Sequence, residues 1–230
     1  MALAVAGTLA ADAGEFRANF SQGKWNAADW TMVRSPRFER LGAFDQKDDH
    51  IVNSSDEAWS DEELYAKHVT EVYASMAYAK RLSGTVDVVS TMSFDHLMAP
   101  LIVIAPELGT SADGQHPEFR RHHEIVLYNE GINVWRYDWV DNRLKWTLVA
   151  FLRVPFEAKR KYELGVTVEA YKDTRRMTIA CDGNVFGFSD DALPLDFWAG
   201  ITGCEGRNRF YDFKVEEGLP AHDDASDGEH

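Results

Sequence analysis

The sequence has little cysteine and no long apolar run, and each shortage excludes a class of protein. Only 2 of its 230 residues are cysteine, Cys181 and Cys204, so a framework of disulfides cannot hold the fold together. Isolated cysteines of this kind are usually buried, so we expect two free buried thiols, with a single bridge between them as the alternative. No apolar stretch approaches the length that spans a membrane.

Basic charge is also scarce. Lys and Arg together number 24 against 38 Asp and Glu, which gives a formal net charge of −14. Nucleic acids and anionic membranes attract basic surfaces, so we expect neither as a partner.

Several catalytic and cofactor motifs are absent. The sequence contains no glycine-rich phosphate loop, no CxxC, no HExxH and no GxSxG. We therefore expect no cofactor. Asp45, Asp48 and Asp49 lie in one polar loop and could offer oxygen ligands to a structural Ca²⁺. Their spacing matches no known calcium loop, however, and a solvated acidic turn is the favoured interpretation.

The two ends differ in composition from the rest of the chain. Residues 1–14 are apolar and alanine-rich but lack the basic segment of a signal peptide, so we predict a flexible N-terminus and a cytoplasmic protein, with secretion as the alternative. Residues 218–230 are acidic and polar, which predicts a disordered tail. Between them no linker or repeat interrupts residues 15–217, which we interpret as one domain.

Short alternating apolar segments, separated by turn residues, dominate this domain. They are not arranged in repeated βα units, so the pattern predicts an all-β fold: a two-sheet antiparallel β-sandwich of the jelly-roll type. At most one or two short helices are expected. The best candidate is Ser60–Lys67, where Ser60 and Glu63 have the spacing of a capping box.

The segment 120–139, RRHHEIVLYNEGINVWRYDW, predicts a long β-hairpin that turns at Glu130-Gly131. With a two-residue loop, Tyr128 pairs with Asn133, Glu124 with Tyr137, and His122 with Trp139. One face then carries only apolar residues near the turn: Ile125, Leu127, Ile132 and Val134. The other face carries His122, Glu124, Val126, Tyr128, Asn133, Trp135, Tyr137 and Trp139.

The second face of this hairpin offers the chemistry of a sugar site. Aromatic rings stack on the apolar faces of sugars, while carboxylates, amides and imidazoles bond hydroxyl groups. Glu124, beside His122 and Tyr137, could also act in general acid–base catalysis. The alternative is ordinary packing, because aromatic residues on a sheet face often belong to a core.

The candidate residues fall into two groups. His122 and Tyr137 are the candidate base and acid, Glu124 a group that orients or ionises them, and His96 a further catalytic candidate at the end of a strand. The candidates for substrate binding are Trp135 and Trp139, which would stack on sugar rings, together with Asn133, Tyr128, Arg120 and Arg207. An arginine could pair with an acidic sugar.

The C-terminal segments YELGVTV at 162–168, MTIACDG at 177–183, WAGITG at 198–203 and NRFYDFKV at 208–215 resemble the concanavalin A-like lectin/glucanase superfamily. The resemblance implies two curved antiparallel sheets that commonly bind ligands on the concave face. It does not determine activity, because this superfamily includes lectins, glycoside hydrolases and polysaccharide lyases.

The leading hypothesis at this stage is an enzyme that cleaves a glycosidic bond, as a polysaccharide lyase or a glycoside hydrolase. The retaining glucanases of this superfamily carry an E-x-D-x-x-E strand, whereas the hairpin here has Glu124 without a second acid on its face. Hydrolysis of that kind needs two carboxylates, so this departure counts against it. The alternatives are a non-catalytic, lectin-like module and an accessory domain that binds another subunit.

Overall fold

The computed structural model describes residues 14–38, 41–53, 60, 71–95, 99–141 and 143–218. Within these ranges the chain forms strands and turns, with one turn of 3₁₀ helix at Ala27–Asp29 that Asn26 caps through its side chain. No helix in these ranges has the length and apolar character needed to cross a membrane.

The strands are numbered in chain order: β1 (Glu15–Asn19), β2 (Trp30–Val33), β3 (Phe44–Gln46), β4 (Ile51–Asn53), β5 (Glu71–Tyr78), β6 (Leu82–Ser83), β7 (Val86–Phe94), β8 (Pro100–Ala105), β9 (Leu108–Thr110), β10 (Pro117–Phe119), β11 (His122–Tyr128), β12 (Gly131–Val140), β13 (Arg143–Leu152), β14 (Tyr162–Tyr171), β15 (Thr174–Cys181), β16 (Asn184–Ser189), β17 (Asp196–Glu205), β18 (Asn208–Phe210) and β19 (Asp212–Glu217).

Most strands belong to two antiparallel sheets. The nine-stranded sheet has the order β16-β15-β14-β7-β18-β4-β3. Strand β19 pairs with the same edge of β7 as β18 does, and β1 pairs with β19. The eight-stranded sheet has the order β13-β12-β11-β8-β17-β5-β2, with β6 added at β17. Because neighbours such as β4 and β18 lie far apart in sequence, the two sheets depend on long-range pairing.

The main core lies between the two sheets. Along β8, Ile102 and Ile104 belong to this core, whereas Leu101 and Val103 belong to a second apolar cluster. Since successive residues of a strand point to opposite sides, the second cluster lies on the other side of the eight-stranded sheet. We call this side, which is turned away from the nine-stranded sheet, the outer face.

Part of the outer face is covered. The β9–β10 hairpin is joined to the segment after β2 by a backbone bridge between Arg34 and Glu118, whose side chains also form an ion pair at 2.9 Å. From these two segments Phe119 and Phe38 pack on the second cluster, over β5, β8 and β17. Among the described residues this cover extends to His122 at the start of β11, on which Phe119 packs, and leaves the rest of β11 with β12 and β13 as the uncovered part of the outer face.

The structure confirms the predicted all-β sandwich of two antiparallel sheets and the two free, buried cysteines. Of the helix predicted at Ser60–Lys67, only Ser60 is among the described residues. Most of the two predicted flexible ends also lies outside them. The single domain over residues 15–217 stays a prediction. Strands β9, β10 and β13 were not predicted. Of these, β13 follows β12 after a turn at Asp141 and forms an edge of the eight-stranded sheet.

Candidate functional site

The hairpin forms where the sequence predicts it, but with a different register. His122 pairs with Tyr137, Glu124 with Trp135, and Tyr128 with Gly131, so each pairing is displaced by two residues from the prediction. The reason is the position of Gly131, which is the first residue of β12 and not a loop residue. Gly131 has a φ of +152°, and an added Cβ would overlap the carbonyl oxygen of Leu152 on β13. Only glycine fits there.

The two faces of the hairpin are those predicted, because a shift of two residues leaves every side chain on its original side. Ile125, Leu127, Ile132 and Val134 are fully buried in the core between the sheets. The polar and aromatic face lies on the outer side of the sheet, where the cover stops.

An open cavity lies on this uncovered part, with a volume of ≈ 300 Å³. Five of the predicted site residues line it together: Glu124, Tyr128, Asn133, Trp135 and Tyr137. The other lining residues are Arg37, Ala99, Leu101, Val126, Trp146, Cys204 and Glu205. The structure thus brings five of the predicted positions to one cavity, and their role as a binding site stays a prediction.

Tyr137 lies at one end of the cavity under Arg37. The guanidinium Nη1 of Arg37 donates to the Tyr137 hydroxyl at 3.0 Å, and the same side chain lies 5.1 Å from the centre of the Tyr73 ring. Burial, together with the nearby Glu124 carboxylate, raises the pKa of Tyr137 well above its usual range. The hydroxyl therefore stays protonated at neutral pH, as a hydrogen-bonding group and not as a charge.

His122 lies behind the cavity and does not line it. Its ring is 0% exposed and stacks on Tyr137 at 4.6 Å with 3° between the planes. Its Nε2 lies 3.3 Å from Oε1 of Glu124, and its Nδ1 lies 3.1 Å from the carbonyl oxygen of Arg120. A general base has to touch its substrate. The geometry thus gives His122 a supporting position beside Glu124 on the same strand, in place of the predicted contact with a substrate.

Three other predicted residues lie elsewhere. Trp139 and Arg120 line a second hollow beyond His122, where the Arg120 guanidinium lies 4.7 Å from the centre of the Trp139 ring. Arg207 lines a third cavity beside β3 and β4, on the other sheet. The structure therefore does not bring either arginine to the central cavity. His96 lies outside the described residues.

Six lining residues lie outside the hairpin, and besides Ala99 and Leu101 they come from three other segments. Arg37 reaches the cavity from the segment after β2, and Cys204 and Glu205 from the end of β17. Trp146 lies on β13, opposite Tyr137. In that strand the alternation of Leu144, Trp146 and Leu148 with polar residues was the available signal. Glu205 adds a second carboxylate to the cavity from β17, while the hairpin face itself has Glu124 as its only acid, as expected.

No protein-family model and no curated protein matches the sequence, but solved structures do match the fold. The seed lectin of Lotus tetragonolobus superimposes with a TM-score of 0.54 at 8% identity, covering 88% of this chain and 97% of the lectin. The chain has the concanavalin A-like jelly-roll fold.

Two carbohydrate-binding modules share this jelly roll. The CBM2 module of the evolved Dit protein of Lactobacillus casei BL23 phage J-1 gives a TM-score of 0.52 at 12% identity, covering 91% of this chain and 98% of the module. The module CBM66 from Bacillus subtilis gives 0.50 at 13% identity, covering 81% and 94%. At such identities the comparisons establish the fold, and the cavity residues have to be interpreted on their own.

The described part of the jelly roll contains no group of three or more His, Cys, Asp or Glu side chains placed to hold a metal ion. In the acidic loop, Asp49 accepts a hydrogen bond from Nδ1 of His50 at 2.6 Å and pairs with Lys161 at 3.3 Å. The contact with His50 is the main reason why the pKa of Asp49 is lowered. These contacts make the loop an ion-paired turn of the jelly roll.

The two thiols of the jelly roll are expected to be unreactive in the folded protein. Burial raises the pKa of Cys181 to about 12 and places that of Cys204 well above its usual range. Because the thiolate is the reactive form, Ellman's reagent at pH 8 should modify both at least ~100-fold more slowly in the native protein than in urea. Rapid modification of one thiol per chain would show that the cavity floor at Cys204 opens.

Proposed function

We propose that this protein is a non-catalytic, sugar-binding module and that the central cavity is its binding site. The observation that carries the proposal is the combination of groups in one open cavity. The rings of Trp135, Tyr128 and Trp146 lie with the amide of Asn133 and the carboxylate of Glu124. Rings that stack on a sugar and groups that bond its hydroxyls are the two requirements of such a site.

The fold supports the same proposal. The solved structures that share it include a seed lectin and two carbohydrate-binding modules. A lyase is less well supported, because His122 is buried and neither Arg120 nor Arg207 lines the cavity. The arginine that does line it, Arg37, donates to the Tyr137 hydroxyl and faces a cavity that also holds the two carboxylates of Glu124 and Glu205. The expected ligand is accordingly an uncharged sugar.

A glycan array with isothermal titration calorimetry tests the proposal. We expect binding of at least one neutral glycan, and we expect Asn133→Ala and Trp135→Ala each to weaken it about tenfold, since each removes a central contact. The matched control is Val185→Ser, which changes a residue that is 67% exposed on β16 of the other sheet. A protein that binds no glycan, or binding unaffected by both cavity variants, would refute the proposal.

The second candidate is a glycoside hydrolase, which Glu205 favours because it supplies the second carboxylate that this chemistry needs. In the same glycan panel a hydrolase would generate new reducing ends, and Glu124→Gln and Glu205→Gln would each abolish them while leaving binding. Binding without any new reducing end supports the non-catalytic proposal.

A further inference from the structure

The cavity is open toward β13, and the surface there is unusually apolar. Trp146, Leu148 and Phe151 are three of the few large apolar side chains that are exposed in the described ranges, and Trp146 and Phe151 are 60% and 55% exposed. Large exposed apolar patches are uncommon on soluble proteins and usually mark binding sites. We call these three residues the apolar ledge.

The register of β13 places the ledge on the same side of the sheet as the cavity. Trp146 pairs with Tyr137, Leu148 with Trp135, and Phe151 with Asn133. A bulge between Leu148 and Ala150 lets Val149 and Ala150 pack against the core while Phe151 returns to the outer face. The ledge is thus continuous with the cavity, and Trp146 belongs to both.

Charged groups on β13 are arranged differently. Lys145 and Thr147 alternate with Trp146 and Leu148 and so point to the opposite side. At the far end of the ledge the Arg153 guanidinium lies 5.5 Å from the centre of the Phe151 ring. From Trp146 to Phe151 a strand extends about 15 Å. The ledge therefore adds an apolar surface, longer than one sugar ring and with a charged group only beside Phe151 among the contacts described, to a cavity that contains Asn133 and Glu124.

We propose that the site continues from the cavity onto the apolar ledge, and that its ligand is an uncharged polysaccharide chain held along several sugar units, not a single sugar or a chain end. This inference rests on the proposed function. Successive sugar units present apolar ring faces that would lie on Trp146, Leu148 and Phe151, while one unit occupies the cavity and bonds Asn133 and Glu124.

A second copy of this protein is the other candidate occupant of the ledge. The alternation of Arg143 and Lys145 with the apolar residues is typical of edge strands that resist pairing with another strand. The formal net charge of −14 also opposes association between two copies. Neither the charged residues of the edge strand nor the net charge opposes the binding of an uncharged polysaccharide, so the polysaccharide is favoured over a second copy.

The test compares ligand length. Cellohexaose, xylohexaose, mannohexaose and laminarihexaose are titrated beside their disaccharides, and the series that binds is then used with variants. The hexasaccharide should bind at least about tenfold more tightly than the disaccharide. The double variant Leu148→Ser/Phe151→Ser should remove that advantage and leave disaccharide binding within about twofold, whereas Asn133→Ala should weaken both. Val185→Ser serves again as the control for an exposed apolar residue.

The outcomes separate the two proposals. Equal affinity for the two lengths, or an equal loss of both in the ledge variant, overturns the extended site while the sugar-binding cavity stands. A wild-type dimer in sedimentation equilibrium that Phe151→Ser dissociates overturns the extended site in favour of an interface between copies. If no oligosaccharide binds at all, the proposed function fails, and the extended site fails with it.

Discussion

Replacing His122 by leucine is expected to lower the free energy of unfolding by about 3 kcal/mol, because it removes one hydrogen-bond partner of the buried Glu124 carboxyl group. Glu124 is 2% exposed, and its Oε1 lies 3.3 Å from Nε2 of the fully buried His122 ring. The variant also removes the ring that stacks on Tyr137. Urea unfolding followed by tryptophan fluorescence at pH 7 measures the effect.

A double-mutant cycle shows whether the loss comes from the pair. With leucine at both positions the buried carboxylate is gone, so His122→Leu/Glu124→Leu should cost less than the sum of the two single variants. His116→Leu is the control, since this half-buried imidazole lies in the β9–β10 connection and its loss should change stability by less than about 0.5 kcal/mol. Strict additivity, or a His122→Leu variant as stable as the wild type, would contradict a supporting role.

The position of His122 shows what a hairpin pattern can and cannot predict. Alternation assigns His122 to the polar face, and that assignment is confirmed. It does not say whether a side chain on that face reaches a cavity or is covered. Phe119 of β10 packs 5.4 Å from the His122 ring, and this cover comes from a separate hairpin that local sequence does not place.

The parts of the site that sequence missed have the same origin. Arg37 and Glu205 reach the cavity only because β2 and β17 lie in the same sheet as the hairpin, and that order is set by long-range strand pairing. Trp146 was closer to prediction, because it lies on the next strand of the meander. The bulge after Leu148 interrupts the alternation of apolar and polar residues in β13, so a pattern with a strict period of two does not extend through the whole strand.

The error in the predicted register left the two faces of the hairpin correctly assigned but gave the wrong cross-strand pairs. A displacement of two residues keeps each residue on its predicted side, which is why five site residues still meet in one cavity. It does change the partners: Glu124 lies opposite Trp135 and not opposite Tyr137. Turn residues alone could not settle this, since Gly131 is suited both to a loop and to the crowded start of β12.

His123, the neighbour of His122, is expected to make the protein sensitive to acid. It points to the core side of the sheet, is almost fully buried, and neither ring nitrogen has a hydrogen-bond partner. Burial is the main reason why the pKa of His123 is lowered from its usual 6.5 to about 3. The nearby charges contribute less: those of His122, Arg136 and Arg121 lower the pKa, and that of Asp190 raises it.

The sign follows from which state binds the proton. Below about pH 6.5 the unfolded chain protonates His123, while the folded protein keeps it neutral until the pH approaches about 3. The stability due to this group is therefore complete above pH 6.5 and falls by about 1.4 kcal/mol for each pH unit below that value. Between pH 6.5 and 4.5 the expected loss is on the order of 2 to 3 kcal/mol.

His123→Phe removes the proton-binding group and keeps an aromatic ring beside Phe188, whose ring lies 6.4 Å away. Its free energy of unfolding should therefore fall less steeply with acid than that of the wild type, so that the variant gains about 2 to 3 kcal/mol relative to the wild type between pH 7.5 and 4.5. Comparing the slopes cancels any constant packing cost of the larger ring. Urea unfolding at four pH values measures both slopes, with His116→Gln as the control. Parallel curves for wild type and His123→Phe would mean that the folded protein protonates this buried ring as readily as the unfolded chain does.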